Sequence, residues 1–137
     1  MLNDIILNKK QIIERCIGRI NEEYANNPAH LRDITKQDSI VLNLQRACEA
    51  SIALAMHIVT EKGLGIPQVS REAFDLLVAD GILEETMAGR LKAMVGFRNI
   101  AVHDYQRLNL GILQDIIEKH VYDLIAFARQ VLKIYSN

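Results

Sequence analysis

The sequence has few of the features that mark disordered, secreted or membrane-spanning chains. Only two of its 137 residues are proline and no low-complexity run is present, so we expect most of the chain to be folded. Its two cysteines, Cys16 and Cys48, lie far apart within helical patterns, which indicates free buried thiols in a reducing compartment. The most apolar run, residues 52–59, is far too short to span a bilayer. We therefore predict one domain, residues 1–137, in a cytoplasmic protein without a membrane segment.

The chain also lacks a dominant sign of charge and any motif for a metal or a bound nucleotide. Its formal net charge is −1, with 16 lysine and arginine residues against 17 aspartate and glutamate residues. A polyanion such as RNA therefore meets no general attraction and needs a local basic cleft. No group of histidine, cysteine or carboxylate residues has metal-ligand spacing, and the loop at residues 63–67 lacks the phosphate-loop pattern. We expect neither a metal nor another cofactor.

Helical periodicity dominates what is present. Apolar residues make up 50% of the chain and recur mostly at three- and four-residue steps. We predict an all-α, up-and-down bundle of four long helices and one short helix. The predicted helices cover residues 4–24, 35–62, 71–79, 83–100 and 110–135, with four N-caps or capping-box residues: Asn3, Thr35, Ser70 and Asn109.

The second predicted helix carries two apolar stripes, so we expect it to pack on two sides or to join a dimer interface. One stripe contains residues 41, 44, 48, 55 and 58, and the other contains residues 40, 47 and 54. A seam between them holds Asn43 and Arg46. These two residues either line a cleft opposite Arg98, or form a hydrogen-bonded helix contact and a solvated charge.

Residues 96–105 concentrate the polar chemistry of the chain. The apolar positions Met87, Leu91, Met94 and Val95 precede Arg98 at helical steps, so an unbroken helix places Arg98 on the buried stripe. A buried guanidinium needs an acidic partner, an anion or a wet cleft, because an unpaired buried charge costs several kcal/mol, on the order of a lost salt-bridge partner.

Arg98 and His103 together suit phosphodiester cleavage. Arg98 offers a fixed cation with planar donors, and His103 offers a group that titrates near neutral pH. On one continuous helix the two positions lie about 140° apart. For them to share a site we predict that the helix ends near Val102.

Arg98, Asn99, His103 and Tyr105 form the pattern R-N-x-x-x-H-x-Y, which resembles the R-x-x-x-x-H-x-Y signature of HEPN domains of the HepT-like branch. The segment at residues 43–59 resembles the second helix of that family, and the helix order extends the likeness over nearly the whole chain. The resemblance implies a HEPN-like homodimer that acts as a metal-independent endoribonuclease on RNA, either transfer RNA or messenger RNA. It further implies the toxin of a type II- or type VII-like toxin–antitoxin pair.

The resemblance also implies a partner and a modification. The antitoxin of such pairs is a minimal nucleotidyltransferase, which attaches AMP to the motif tyrosine, here Tyr105. In the mechanism that we hypothesise, a ribose 2′-hydroxyl attacks the adjacent phosphate, Arg98 stabilises the transition state and His103 moves the proton. Asn99 orients the phosphate or holds the turn, and Asp104 fixes the histidine or the bend.

An alternative function belongs to a different class. The chain could be a non-catalytic helical partner, or a nucleotide-binding subunit, of a nucleotidyltransferase, because wide apolar helix faces fit that role equally well. In that case Arg98 is a structural ion-pair partner of Glu49 or Asp104, and His103 and Tyr105 pack at a helix end with a polar tip.

Overall fold

A computed structural model of the chain describes the backbone of residues 2–103 and 109–135, and the side chains of all of these except 101–103. The elements are α1 (Leu2–Tyr24), a 3₁₀ turn (Pro28–Arg32), α2 (Ile34–Lys62), α3 (Arg71–Ala79), α4 (Glu85–His103), α5 (Leu110–Asp115) and α6 (Tyr122–Tyr135). A five-residue π-helical segment (Ile116–His120) joins α5 to α6. No strand occurs in residues 2–103 or 109–135, so the predicted all-α class is confirmed.

Helix α2 is the centre of the bundle. It contacts α1, α3, α4 and α6. Both predicted stripes are buried, since each of their members is at most 2% exposed: Ile40, Val41, Leu44, Ala47, Cys48, Leu54, Ala55 and Ile58. Burial of each large aliphatic side chain contributes about 1.5–3 kcal/mol, so α2 holds its neighbours in fixed positions. The prediction that α2 packs on more than one side is confirmed.

Three of the predicted N-terminal boundaries are wrong by one or two residues, including that of α4, which begins at Glu85 and not at residue 83. Helix α1 begins at Leu2, so Asn3 lies inside its first turn and does not cap it. Helix α2 begins at Ile34, because Asp33 has an extended backbone and its carboxylate accepts a hydrogen bond from the Lys36 amide at 3.2 Å. Thr35 is therefore inside the helix. Asp33 and Thr35, two positions apart, are both residue types that cap helices, so the sequence left this choice ambiguous.

Other helix ends show where capping rules succeed and where they fail. Ser70 precedes α3 as predicted, but its backbone is already helical and its side chain makes no capping hydrogen bond. Asn109 caps α5, since its side-chain oxygen accepts hydrogen bonds from the amides of Gly111 and Ile112 at 2.8 and 3.1 Å. Gly63 ends α2 in the left-handed conformation, with φ of 62°, where glycine avoids the Cβ strain.

The last predicted helix, residues 110–135, is helical over that range but contains the π segment. The Val121 amide donates to the Ile116 carbonyl at 2.8 Å, across five residues instead of four. Nearby, the Tyr24 hydroxyl of α1 donates to the Glu118 carboxylate in the π segment. Burial, together with this hydrogen bond to Glu118, raises the pKa of Tyr24 to about 12. The contact fixes the π segment against α1.

Over the described residues, none of the helices has both the length and the apolar character that crossing a membrane requires.

Candidate ribonuclease site

Helix α4 places Arg98 where the sequence predicted it. Leu91, Met94 and Val95 are at most 2% exposed, and Arg98 is half-buried next to them on the same helix. The predicted helix end near Val102 differs by one residue from the structure, in which α4 includes His103, so Arg98 and His103 lie on the same helix. No glycine or proline follows Gly96 until residue 111, so nothing local stops the helix earlier. The two positions therefore lie about 140° apart around one axis and about 7.5 Å apart along it.

Arg98 acts electrostatically on the buried face of α2. Its charge acts on the Cys48 thiol and opposes the effect of burial, which is the larger and raises the pKa of Cys48 to about 12. The same thiol donates to the carbonyl of Met94 at 3.7 Å, which ties α2 to the turn of α4 that precedes Arg98. Cys48 is therefore a packing residue whose thiol stays protonated at neutral pH.

Among the described residues, the guanidinium of Arg98 is short of partners. Its Nε atom is buried and has no hydrogen-bond acceptor in the part of the chain that the structure describes. No described carboxylate lies within 4.0 Å of its terminal nitrogens, so the proposed ion pair with Glu49 is absent. The other acidic candidate, Asp104, lies outside the described residues. An unsatisfied buried donor costs about 1–3 kcal/mol, which an anionic ligand can recover.

The remaining motif residues are described only in part. Asn99 is half-buried on α4 next to Arg98. The backbone of His103 belongs to α4, but its side chain, together with the whole of Asp104 and Tyr105, lies outside the described residues. Their roles stay predictions.

Asn43 and Arg46 come together, but Arg98 is not beside them. They line a cavity of about 380 Å³ between α1 and α2, called the α1–α2 cavity below, whose lining does not include Arg98. The Asn43 amide donates to the Ser39 carbonyl at 2.8 Å. For Asn43, the structural alternative of a hydrogen-bonded helix contact is therefore present. Arg46 is exposed. The predicted cleft of Asn43 and Arg46 opposite Arg98 stays a prediction.

The sequence interpretation missed two cations in the same cavity. Lys9 and Arg15 project from α1 into its lining beside Ile12 and Cys16. Lys9, Ile12 and Arg15 recur at three-residue steps, so they share one side of the helix. That spacing was a usable signal, but only the tertiary contact of α1 with α2 shows that Arg46 faces the same space.

A second feature missed from the sequence is an apolar groove beside the motif, called the α4 groove below. It has a volume of about 420 Å³. One wall is α4 and the other is α5 with the π segment, and its apolar lining is Ala93, Met94, Gly96, Phe97, Ile100, Ile112 and Ile116. Ile100 and Ile112 are 43% and 53% exposed, so the groove presents apolar side chains to solvent. The groove lies within one helical turn of Arg98.

The structure offers no metal centre in residues 2–100 or 109–135, because no group of three or more histidine, cysteine or carboxylate side chains is close enough there to hold an ion.

Comparison with known proteins decides the family. The model of the family described as Ribonuclease HepT-like matches residues 12–131. The chain belongs to the HepT-like ribonuclease family. A HepT-like relative, the mRNA nuclease HepT of Shewanella oneidensis, is 48% identical over 126 residues, which cover 92% of this chain and 95% of the relative.

Solved structures confirm the HEPN-like fold. One is the tri-AMPylated HEPN toxin of Shewanella oneidensis in complex with an MNT antitoxin; it is 46% identical, with a TM-score of 0.88 over 93% of this chain and 96% of that one. Another is a toxin–antitoxin complex with AMP-PNP, also 46% identical, with a TM-score of 0.89 over 93% of this chain and 97% of that one. The sequence-based assignments of the HepT-like family and of the ribonuclease class are confirmed.

Proposed function

We propose that this HepT-like protein is the toxin of a toxin–antitoxin pair and that it cleaves RNA, with messenger RNA as its substrate. The observation that carries the proposal is Arg98, a half-buried guanidinium with an unsatisfied Nε and no carboxylate within 4.0 Å in the described part of the chain. Such a group is suited to a phosphate, which accepts several charge-assisted hydrogen bonds at once. The name of the relative, mRNA nuclease HepT, supports the choice of substrate.

The active form is a homodimer with a site shared between two copies. A continuous α4 sets the Arg98 and His103 positions about 140° apart, so one chain alone does not direct both toward one phosphate. A two-fold axis brings Arg98 of each copy near His103 of the other. The α4 groove supports this arrangement, because its exposed Ile100 and Ile112 gain stability when a second copy covers them.

The chemistry is a transesterification that needs no metal. The 2′-hydroxyl of a ribose attacks the adjacent phosphorus while His103 accepts its proton, and the bond to the 5′ oxygen of the next nucleotide breaks. The same His103, now protonated, gives that proton to the leaving oxygen. Arg98 stabilises the charge that develops on the phosphoryl oxygens, Asn99 orients the phosphate, and Asp104 fixes the histidine. The products are a 2′,3′-cyclic phosphate and a free 5′-hydroxyl.

The antitoxin is a minimal nucleotidyltransferase that attaches AMP to Tyr105. The solved complexes of relatives, one tri-AMPylated with an MNT antitoxin and one with AMP-PNP, support this partner and this chemistry. Each added AMP carries a phosphate, which pairs with the cationic site through Arg98 and competes with the RNA backbone. The toxin acts in the cytoplasm as one domain over residues 1–137; its buried free Cys16 and Cys48 and its continuous core support this proposal.

The test is cleavage of messenger RNA and of transfer RNA by the purified, unmodified protein in the presence of a chelator. We expect cleavage by the wild type, cyclic phosphate ends, and a loss of about 10²–10⁴-fold in the Arg98→Ala and His103→Ala variants. Arg32→Ala, which removes an exposed arginine in the 3₁₀ turn, is the matched control. No cleavage by a folded wild-type dimer would instead favour the non-catalytic or nucleotide-binding partner of a nucleotidyltransferase.

A further inference from the structure

The α1–α2 cavity gathers positive charge in a chain whose net charge is −1. Lys9 and Arg15 come from α1, Arg46 comes from α2, and the one acidic residue in the lining is Glu49. Ile12, Cys16 and two alanines of α2 complete the surface. Three cations thus face one carboxylate around a space of about 380 Å³. A cavity with an excess of charge of one sign concentrates an oppositely charged ligand.

These cations are not used by the fold. Within residues 2–100 and 109–135, none of the three cations of this cavity has a carboxylate within 4.0 Å. Cations elsewhere do form pairs, for example Lys62 with Asp80 at 2.8 Å. The acidic neighbour of Arg15 along α1 is already engaged, since Glu14 pairs with Lys10 at 3.0 Å and with Arg129 at 3.7 Å. The cavity therefore keeps its charge available.

The two arginines converge although they belong to different helices. Burial raises the pKa of the Cys16 thiol, and the charges of Arg15 and Arg46 both oppose that increase, so both guanidinium groups lie near the same sulfur atom. Asn43 adds a buried polar group to the wall, only 9% exposed. Its amide nitrogen already donates to the Ser39 carbonyl, which leaves its oxygen to accept a hydroxyl.

We propose that the α1–α2 cavity binds a backbone phosphate of the RNA substrate at a nucleotide away from the bond that is cut. Arg15 and Arg46 hold the phosphate oxygens, Lys9 adds a third contact, and the Asn43 oxygen accepts a ribose 2′-hydroxyl. This inference rests on the proposed ribonuclease function. The cavity lining does not include Arg98, so the contact affects binding of the strand and not the chemical step. Phosphate contacts carry no sequence information, so the effect is the same for RNA of any sequence.

The test compares a triple variant, Lys9→Gln, Arg15→Gln and Arg46→Gln, with a control that removes equal charge elsewhere. The control is Arg32→Gln, Arg71→Gln and Lys133→Gln, three exposed cations outside the cavity. The probe is a single-stranded RNA with 2′-O-methyl groups, which blocks cleavage, and its dissociation constant is measured against salt concentration. We expect the triple variant to bind at least about tenfold more weakly, with a salt slope reduced by about 2. The control should stay within about twofold of the wild type.

Kinetics separate the failure of this inference from the failure of the proposed function. With unmodified RNA, the triple variant should raise KM and keep kcat, and it should cleave a dinucleotide, too short to reach the cavity, at the wild-type rate. That last result also shows that the variant is folded.

Equal dissociation constants and salt slopes for the triple variant and the control, while the wild type cleaves RNA, would overturn the inference alone. Polyglutamate binding that needs the same three cations would overturn it too, in favour of an acidic protein partner. A wild type that neither binds nor cleaves RNA would overturn both.

Discussion

The charge of Arg98 on α4 acts on the Cys48 thiol of α2, and that thiol donates to the carbonyl of Met94 one turn before the arginine. Helix α4 is therefore tied to a fully buried residue of the central helix one turn before Arg98, while the Arg98 Nε lacks an acceptor in the described part of the chain. A cation on a helix that is packed into the core, with a buried Nε that has no acceptor among the described residues, suits an anion, which is the condition for electrostatic stabilisation of a phosphoryl transition state.

The support behind Arg98 can be tested by changing the volume of Cys48. Cys48→Leu adds bulk at a position that is 1% exposed, so it should displace the arginine and destabilise the fold by about 1–3 kcal/mol. RNA cleavage should fall by more than the loss of folded protein explains. Cys48→Ala, which removes only the sulfur atom, is the control and should retain most of the cleavage rate. Chemical denaturation and cleavage rates measured on the same samples decide the matter; a Leu variant with full activity per folded molecule would contradict the account.

The α4 groove predicts a mutation that separates the copies. Ile100→Glu places a charge on the surface that we propose a second copy covers, so the dimer should dissociate at least about tenfold more readily and lose cleavage activity in parallel. Ile66→Glu is the matched control, because Ile66 is 86% exposed on a loop outside the groove. Analytical ultracentrifugation measures both. The dimeric role of the groove fails if Ile100→Glu sediments and cleaves as the wild type does.

Stability should fall in alkali because of two raised pKa values. The Cys48 thiol and the Tyr24 phenol each have a pKa of about 12 in the folded chain, against about 8.5 and 10 in an unfolded one. Above about pH 9 the unfolded chain loses these protons first, so the stabilisation present below that pH decreases as the pH approaches 12. Urea midpoints at pH 8, 9, 10 and 11 measure the decrease. The double variant Cys48→Ala, Tyr24→Phe should show a shallower decrease; identical slopes in the two proteins would refute the assignment.

The N-cap of α2 is Asp33, whereas the sequence predicted Thr35, two residues later. The difference can be tested by mutation. Asp33→Ala removes the side-chain oxygen that accepts from the Lys36 amide, so it should lower the free energy of unfolding by about 1 kcal/mol. Thr35→Ala, inside the helix, should change it by less than about 0.5 kcal/mol. Urea denaturation of the two variants side by side decides which residue is the cap, and a larger loss for Thr35→Ala would restore the original assignment.

Predictions that depend on helical periodicity agree with the structure better than predictions that depend on local signals at helix ends. Periodicity predicted the two buried stripes of α2 and the inward position of Arg98, because burial repeats with the helix. It failed where two local signals had similar strength, as at Asp33 and Thr35, and where no stop signal existed, as before His103.

Features that depend on contacts between helices could not be predicted from local sequence rules. The π segment depends on one shifted hydrogen bond from Val121 to Ile116 and on the contact between Tyr24 and Glu118. The α1–α2 cavity depends on α1 and α2 packing with Arg15 and Arg46 on the same side. Neither could be read from the spacing of residues along one helix.

Mixing two inactive variants tests the central claim, that Arg98 and His103 from different copies form one ribonuclease site. Arg98→Ala and His103→Ala are unfolded together, refolded together and assayed on RNA in a chelator. If each site combines residues from both copies, every mixed dimer has one intact site and random mixing restores roughly a quarter of the wild-type rate. The control mixes wild type with the double variant, whose mixed dimers should then contain no intact site. Restored cleavage in the first mixture supports the shared site; no cleavage there, with active mixed dimers in the control, would contradict it.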